Sequence, residues 1–234
     1  MTTSDRSSAT SFRVAQQWDD GLSWISDPDE MVRRASHAVR GDDDGVWLFD
    51  PVDAPGIDDA IAELGPVEGV AVLSAYHARD AGTFATRHDV PVSIPRWLPR
   101  VAERVDAAVE RFSGEIGDSG FRVRRYEPIP GWSEAIAYRS SDDILYTPEV
   151  LGTAPLYTVG QERLGLYLPQ RLFPPTSFTE YAPERILVGH GDGLSREATA
   201  ALTDAVTNGR KRLPRAILKH GPTQFRAAIA SMID

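Results

Sequence analysis

There is no cysteine in these 234 residues. Disulfides, thiolate nucleophiles and sulfur-ligated zinc are therefore excluded, and any metal must be held by nitrogen and oxygen. Lysine is almost missing too, with only Lys211 and Lys219 beside a crowd of arginines. No apolar run approaches the roughly 20 residues of a membrane span, and the polar start MTTSDRSSAT has no apolar signal core. A cytoplasmic protein without a membrane partner is expected. Positive charge is in deficit, 25 basic against 34 acidic residues for a net charge of -9, which argues against generic binding to nucleic acid. The acidic clusters, such as DDD at 42 to 44, match the profile of salt-adapted or GC-rich microbial proteins, although codon bias gives the same composition.

What is present is enough apolar content, 41%, to bury one substantial core. A polar tail over residues 1–11 and a single domain over 12–234 are expected. The first part alternates short strands and turns: FRVAQQ (12–17), GLSWIS (21–26), MVRRASHAV (31–39) and GVWLFD (45–50), an antiparallel meander. The pattern then shifts to β-α-β. IDDAIAELG carries Ile57, Ile61 and Leu64 at helical spacing and ends on Gly65, and GVAVLSA (69–75) has the length and continuity of a strand buried on both faces. ARDAGTFATRH predicts a short helix burying Ala81, Phe84 and Ala85, followed by a strand in DVPVSIP. LPRVAERVDAAVERF predicts a longer helix with Val101, Val105, Ala108, Val109 and Phe112 on one stripe. Strands follow in FRVRRYEPI, EAIAYRS, DILYTP and APERILVGHG, with SSDD a hairpin turn. SREATAALTDAVTNG reads as a helix capped by Ser195 and stopped at Asn208-Gly209, and PTQFRAAIASMID as a last amphipathic helix. Residues 151–183 keep no sustained period, as in loops that serve or cover a site.

Taken in order, GVWLFDPVD, LSAYHARDAG after a buried strand, PGWSEAIAYRSSDDILYTPEVLGT and RILVGHGDGLSREATAAL resemble the layout of the metallo-β-lactamase superfamily. The resemblance implies an α/β fold, an αββα four-layer sandwich of two βα halves, with a site at the sheet edge. It places His190, in a Gly-His-Gly turn between strand and helix, at a position where the family often carries a histidine. Family enzymes hold two metals with a His-x-His-x-Asp-His motif after the strand that here is GVAVLSA. With Asp80 set on the aspartate, the histidine positions fall on Tyr76, Ala78 and Ala81; with His77 set on the first histidine, the other two histidine positions fall on Arg79 and Gly82 and the aspartate position on Ala81. The motif survives in neither register. A further ligand histidine of the family corresponds to Trp132, and its bridging aspartate to Glu149.

A catalytic zinc needs three protein ligands and an open position. The candidates are His77, Asp80, Glu149 and His190, within a degenerate pocket that includes Tyr76, Arg79 and Trp132. Arg79 beside Asp80 suggests a guanidinium replacing a metal's charge by pairing with Asp80 or Glu149. Two readings follow. The first is a non-catalytic member that keeps a pocket for a small molecule or protein partner and needs no cofactor. The second is a mononuclear metal-dependent hydrolase, with zinc or another divalent ion on the four candidates, and it requires His77 and His190 to lie within about 8 Å of each other. His37, His88 and His220 read as structural. Ser74, Ser133 and Ser195 lack a nucleophile elbow, GHGDG lacks the P-loop ending, and Arg122, Arg124 and Arg125 read as a solvated strand face.

Overall fold

The computed structural model describes residues 9–129 and 132–221. The chain opens with β1 (Phe12–Trp18), β2 (Gly21–Ser26), β3 (Ala35–Arg40) and β4 (Val46–Phe49), each antiparallel to the next. Helix α1 (Ile57–Ala62), β5 (Val67–Ala71), α2 (Ala81–His88), β6 (Val92–Pro95) and β7 (Val109–Phe112) follow, and the pairs from β4 to β7 are parallel. Together they make one seven-stranded sheet in chain order. The meander and its shift to β-α-β are as expected from the alternation. Helix α2 buries Ala81, Phe84 and Ala85 as its spacing requires.

A second sheet contains β8 (Arg122–Ile129), β9 (Trp132–Arg139), β10 (Ile144–Thr147) and β13 (Arg185–Val188) in the order β13-β10-β9-β8. Only β10 and β13 pair in parallel. Residues 151–183 carry two short strands, β11 (Leu151–Gly152) and β12 (Gly165–Leu166), and two 3-10 turns. Helix α3 (Ala198–Asn208) packs on the second sheet, and residues 213–221 are helical as well.

Side chains leave a strand alternately to either face, and that alternation assembles the layers. Val46 and Leu48 of β4, with Val70 and Val72 around β5, pack toward α1 and α2. Their neighbours Trp47, Phe49, Ala71 and Leu73 meet Ala135, Ala137, Ile144, Tyr146 and Leu187 of the second sheet. The opposite face of that sheet, Ile136, Leu145, Ile186 and Val188, packs on Ala198, Leu202 and Ala205 of α3. The result is helices, sheet, sheet, helix.

Three local expectations are corrected. Residues 98–112 do not form one helix: a 3-10 turn covers Pro99–Arg104, Val105 is extended, and β7 pairs with β6 through Val92 and Val109. Val105, Ala107 and Val109 also obey a spacing of two, and the open edge of β6 supplies the hydrogen bonds that decide between the periods. Helix α3 starts at Ala198 behind Glu197, whose φ of 50° breaks the backbone there, so Ser195 is not its cap. In MVRRASHAV the strand begins only at Ala35. The amphipathic segment 222–234 lies outside the described residues. Among the described residues no helix is long and apolar enough to cross a membrane.

Candidate metal centre

Four segments converge where β4, β5, β10 and β13 end. Because β4 and β5 run parallel, and β10 and β13 likewise, the loops that follow them emerge on one side of each sheet, which is where α/β folds gather ligand-binding groups. The two sheets are tied together at this edge by Ala35 N–H donating to the Gly189 carbonyl, 2.9 Å, and Ala135 N–H donating to the Leu73 carbonyl, 2.8 Å. A Cβ at Gly189 would run into the Pro148 carbonyl and the His77 ring, so glycine permits the close approach. The loops deliver Asp50, His77, Glu149 and His190, all buried or nearly so.

Each imidazole is oriented from behind. His77 Nδ1 lies 2.9 Å from Asp50 Oδ2, and His190 Nδ1 lies 3.1 Å from the Val32 carbonyl. A carboxylate and a carbonyl only accept, so both Nδ1 atoms carry the proton. Both Nε2 atoms therefore face inward. They stand 3.4 Å apart, with Glu149 Oε1 2.6 Å from His77 Nε2 and Glu149 Oε2 3.4 Å from His190 Nε2. Donor atoms of His77, Glu149 and His190 all lie within 4.8 Å of one another.

Behind this trio Asp50 is saturated. Its Oδ1 accepts from Leu73 N–H at 2.8 Å, and its Oδ2 accepts from His77 and from the Tyr146 hydroxyl. Glu149 is positioned through its own backbone: its N–H donates to Glu134 Oε2 at 2.8 Å, and Val150 N–H donates to the same oxygen at 3.3 Å. The Tyr157 hydroxyl reaches Glu149 Oε2 at 3.4 Å while its ring stacks on His190, centroids 5.6 Å apart.

The protonation pattern follows from burial and charge. Burial opposes ionisation of Glu149, but His77 and His190 beside it hold its carboxyl well below the usual range. Burial and Arg79 work against protonating His77, yet the Glu149 and Asp50 carboxylates raise it overall. Burial keeps His190 lowered and therefore neutral. Glu134, buried and close to the Glu149 charge, is pushed up to about 8, so it is a neutral acid at pH 7.

Arg79 joins from below with φ at 41°, a left-handed conformation rarely taken by a long side chain. Its Nη1 donates to the carbonyls of Ala35 at 2.6 Å and Asp50 at 2.8 Å, and its Nη2 donates to the Gly189 carbonyl at 3.1 Å and lies 3.0 Å from His77 Nε2. The guanidinium thus clamps three backbone carbonyls and the His77 ring. The expected pairing with Asp80 or Glu149 is replaced by these partners, because the bent loop sends Arg79 inward beneath His77.

Of the residues singled out in the sequence, His77, Glu149 and His190 are brought together, and the two histidines satisfy the distance required of them. Asp80 is not in the trio. Its Oδ2 accepts from Asp53 N–H at 2.8 Å, since the chain turns at Arg79 and leaves Asp80 at the start of α2. Tyr76 is 49% exposed. Trp132 lies against the ring of Tyr167 at 5.0 Å, which in turn lies 6.0 Å from Tyr157, so it reaches His190 only through two intervening rings. His37 is structural: its Nε2 donates to the Val188 carbonyl at 3.1 Å and its Nδ1 meets Ser23 Oγ at 2.7 Å. Sequence reasoning missed Asp50, Glu134, Tyr146 and Tyr157. Asp50 and Glu134 had a signal, since each is a lone acid at the end of or inside an apolar strand, where burial demands partners.

No family model and no curated protein matches this sequence. Solved structures do match its fold. The DIM-1 metallo-β-lactamase is 12% identical with a TM-score of 0.62, over 87% of this chain and 99% of that one. A metallo-β-lactamase from Pontibacter korlensis is 13% identical with a TM-score of 0.60, over 85% and 100% of the two chains. A flavo di-iron protein from Thermotoga maritima, in a mutant form, is 16% identical with a TM-score of 0.58, over 86% of this chain and 62% of that one. This chain has the metallo-β-lactamase fold, a mixed α/β αββα sandwich.

The donors of His77, Glu149 and His190 fit one metal ion. Ligands held at about 2.1 Å in a tetrahedron stand about 3.4 Å apart, which is the spacing of the two Nε2 atoms. Outer nitrogens fixed by hydrogen bonds, with the inner ones aimed together, are the arrangement that ligating histidines take.

Proposed function

We propose that this protein holds one divalent metal ion through His77 Nε2, His190 Nε2 and the Glu149 carboxylate, and is a mononuclear metal-dependent hydrolase without the dinuclear centre. The observation that carries the reading is the convergence of the two Nε2 atoms at 3.4 Å with both Nδ1 protons committed elsewhere. When bound in such a site, zinc or a similar ion lowers the pKa of a water and polarises the bond under attack. The chain's own part is orientation and charge. Asp50 fixes the tautomer of His77, Val32 that of His190, and Glu134 and Tyr157 hold Glu149 in place. The charge around the trio suits one ion: Asp50 and Glu149 are the anions, Arg79 the fixed cation, and a second dication would leave a large uncompensated positive charge in a buried place. The net charge of -9 suits a small-molecule substrate rather than nucleic acid, in a cytoplasmic setting.

Arg79 favours a second reading, a metal-free and non-catalytic member whose pocket serves a small molecule or a protein partner. With His77 protonated, Asp50 and Glu149 are balanced by Arg79 and His77 without any ion, and the 2.6 Å contact between His77 Nε2 and Glu149 is then an ion pair.

Metal content by elemental mass spectrometry, on untagged protein purified without chelator and on His190→Ala, separates the two. The first reading expects about one equivalent of zinc, manganese or iron in the wild type and less than about a tenth in the variant, as for a site that has lost one of three ligands. Loaded protein is then screened on esters, thioesters and phosphodiesters. Less than about a tenth of an equivalent in the wild type, even after incubation with each ion, overturns it.

A further inference from the structure

The inner nitrogen of His77 has two claimants. One is any ion held by the trio; the other is the Arg79 guanidinium, whose Nη2 lies 3.0 Å from the same Nε2 atom. We infer that Arg79 is a built-in competitor for the metal site: it stands its guanidinium against His77 Nε2 in the metal-free protein and holds the metal affinity below what the three ligands alone would give. The inference rests on the one-ion reading of the same cluster.

Three observations support it. The side chain is directed inward by the backbone itself, because Arg79 adopts φ 41°, a conformation costly for a residue with a Cβ. It is fixed there, because the carbonyls of Ala35, Asp50 and Gly189, contributed by three separate segments, take its other donors. It also carries a charge of the wrong sign for a cation site. Like charges at this range in a buried setting repel by more than a tenfold change in affinity corresponds to. A purely structural arginine has no need to place a nitrogen against the imidazole atom nearest Glu149. The same contact explains how two buried carboxylates are tolerated before an ion arrives: Arg79 supplies the counter-charge, and must yield its His77 contact when the ion enters. Metal uptake is then a displacement rather than the filling of a prepared cage.

The test compares the full-length wild type with Arg79→Gln and Arg79→Gly, the latter also relieving the left-handed backbone. Cobalt is titrated by its visible absorption and zinc affinity measured against a competing chelator. Both variants are expected to bind about tenfold tighter or more, and their melting temperatures to fall further on chelation than that of the wild type. Equal or weaker binding by a variant whose near-ultraviolet circular dichroism is native overturns the inference while leaving the one-ion reading intact. Uptake by none of the three proteins overturns both. Should a variant fail to fold, the wild type alone decides: the side-chain nitrogen resonances of Arg79 must shift when zinc is added, and resonances that stay still while zinc binds overturn the displacement.

Discussion

Replacing Asp50 by Asn keeps the shape of the side chain but removes its charge and the ability of its second atom to accept. Asp50 Oδ1 takes the Leu73 N–H, and Oδ2 takes both the His77 Nδ1–H and the Tyr146 hydroxyl. In Asp50→Asn the oxygen keeps the Leu73 bond, and an amide NH2 is left facing two donors. Tyr146 can turn its hydroxyl and accept. His77 can avoid the clash only by moving its proton from Nδ1 to Nε2, the atom that faces Glu149 and His190. The substitution therefore places a proton where an ion needs a lone pair. Loss of a partner behind a ligating histidine lowers metal affinity by about 10- to 100-fold. The lost hydrogen bond to a charged acceptor costs about 1.5–3 kcal/mol of stability, in a residue that is completely buried. Urea unfolding measures the second quantity, competition with a chelator the first, and nitrogen NMR of the His77 ring reports the tautomer. Wild-type zinc affinity in Asp50→Asn, or a proton still on Nδ1, would refute the chain of reasoning from Asp50 to the inner nitrogen.

Two further outcomes follow from buried charge elsewhere. His37 is held down to about 3, first by burial, while unfolded histidine titrates near 6.5. The unfolded chain thus takes up a proton that the folded one refuses, and the contribution of His37, present above the unfolded value, is lost as pH falls toward 3. Between pH 6.5 and 4.5 this amounts to about 2 kcal/mol, and His37→Gln should be less sensitive by that amount in urea titrations at the two pH values; parallel losses in both proteins would contradict it. In the irregular segment, Arg171 meets Glu162 twice, at 2.8 and 2.7 Å, and also donates to the Tyr157 carbonyl at 2.7 Å, with both side chains 1% exposed. Arg171→Met should cost about 3–5 kcal/mol, and the double variant Arg171→Met with Glu162→Leu should recover most of it, since the penalty lies in the orphaned charge. Chemical denaturation decides, and a single variant within about 1 kcal/mol of wild type would mean that Arg212, 3.4 Å from Glu162, compensates.

Much of the frame is legible along the chain. The strands around Val46–Phe49 and Ile144–Thr147 show alternation or continuous apolar runs that fit only a sheet covered on both sides, and α2 buries the three residues its spacing names. The segment 98–112 misleads for a physical reason, since its valines satisfy both a helical and an extended period. The edge of the preceding strand β6, not local preference, settles it. The candidate site divides in the same way. His77, Glu149 and His190 are visible as polar residues just beyond apolar strands. Asp80 is suggested by motif spacing alone and is carried away by the turn at Arg79.

The sequence by itself determined the chemistry available: no thiolate, few histidines, a net charge of -9, and apolar strands long enough to make two sheets. Only the tertiary structure decided which carboxylate stands behind His77. Asp50 and His77 are 27 residues apart, and His77 and His190 are 113 apart, so their meeting depends on where parallel strands end and not on spacing. Tertiary structure alone also decided the partners of Arg79, since a guanidinium on a flexible stem takes whatever acceptors the surrounding backbone leaves within reach.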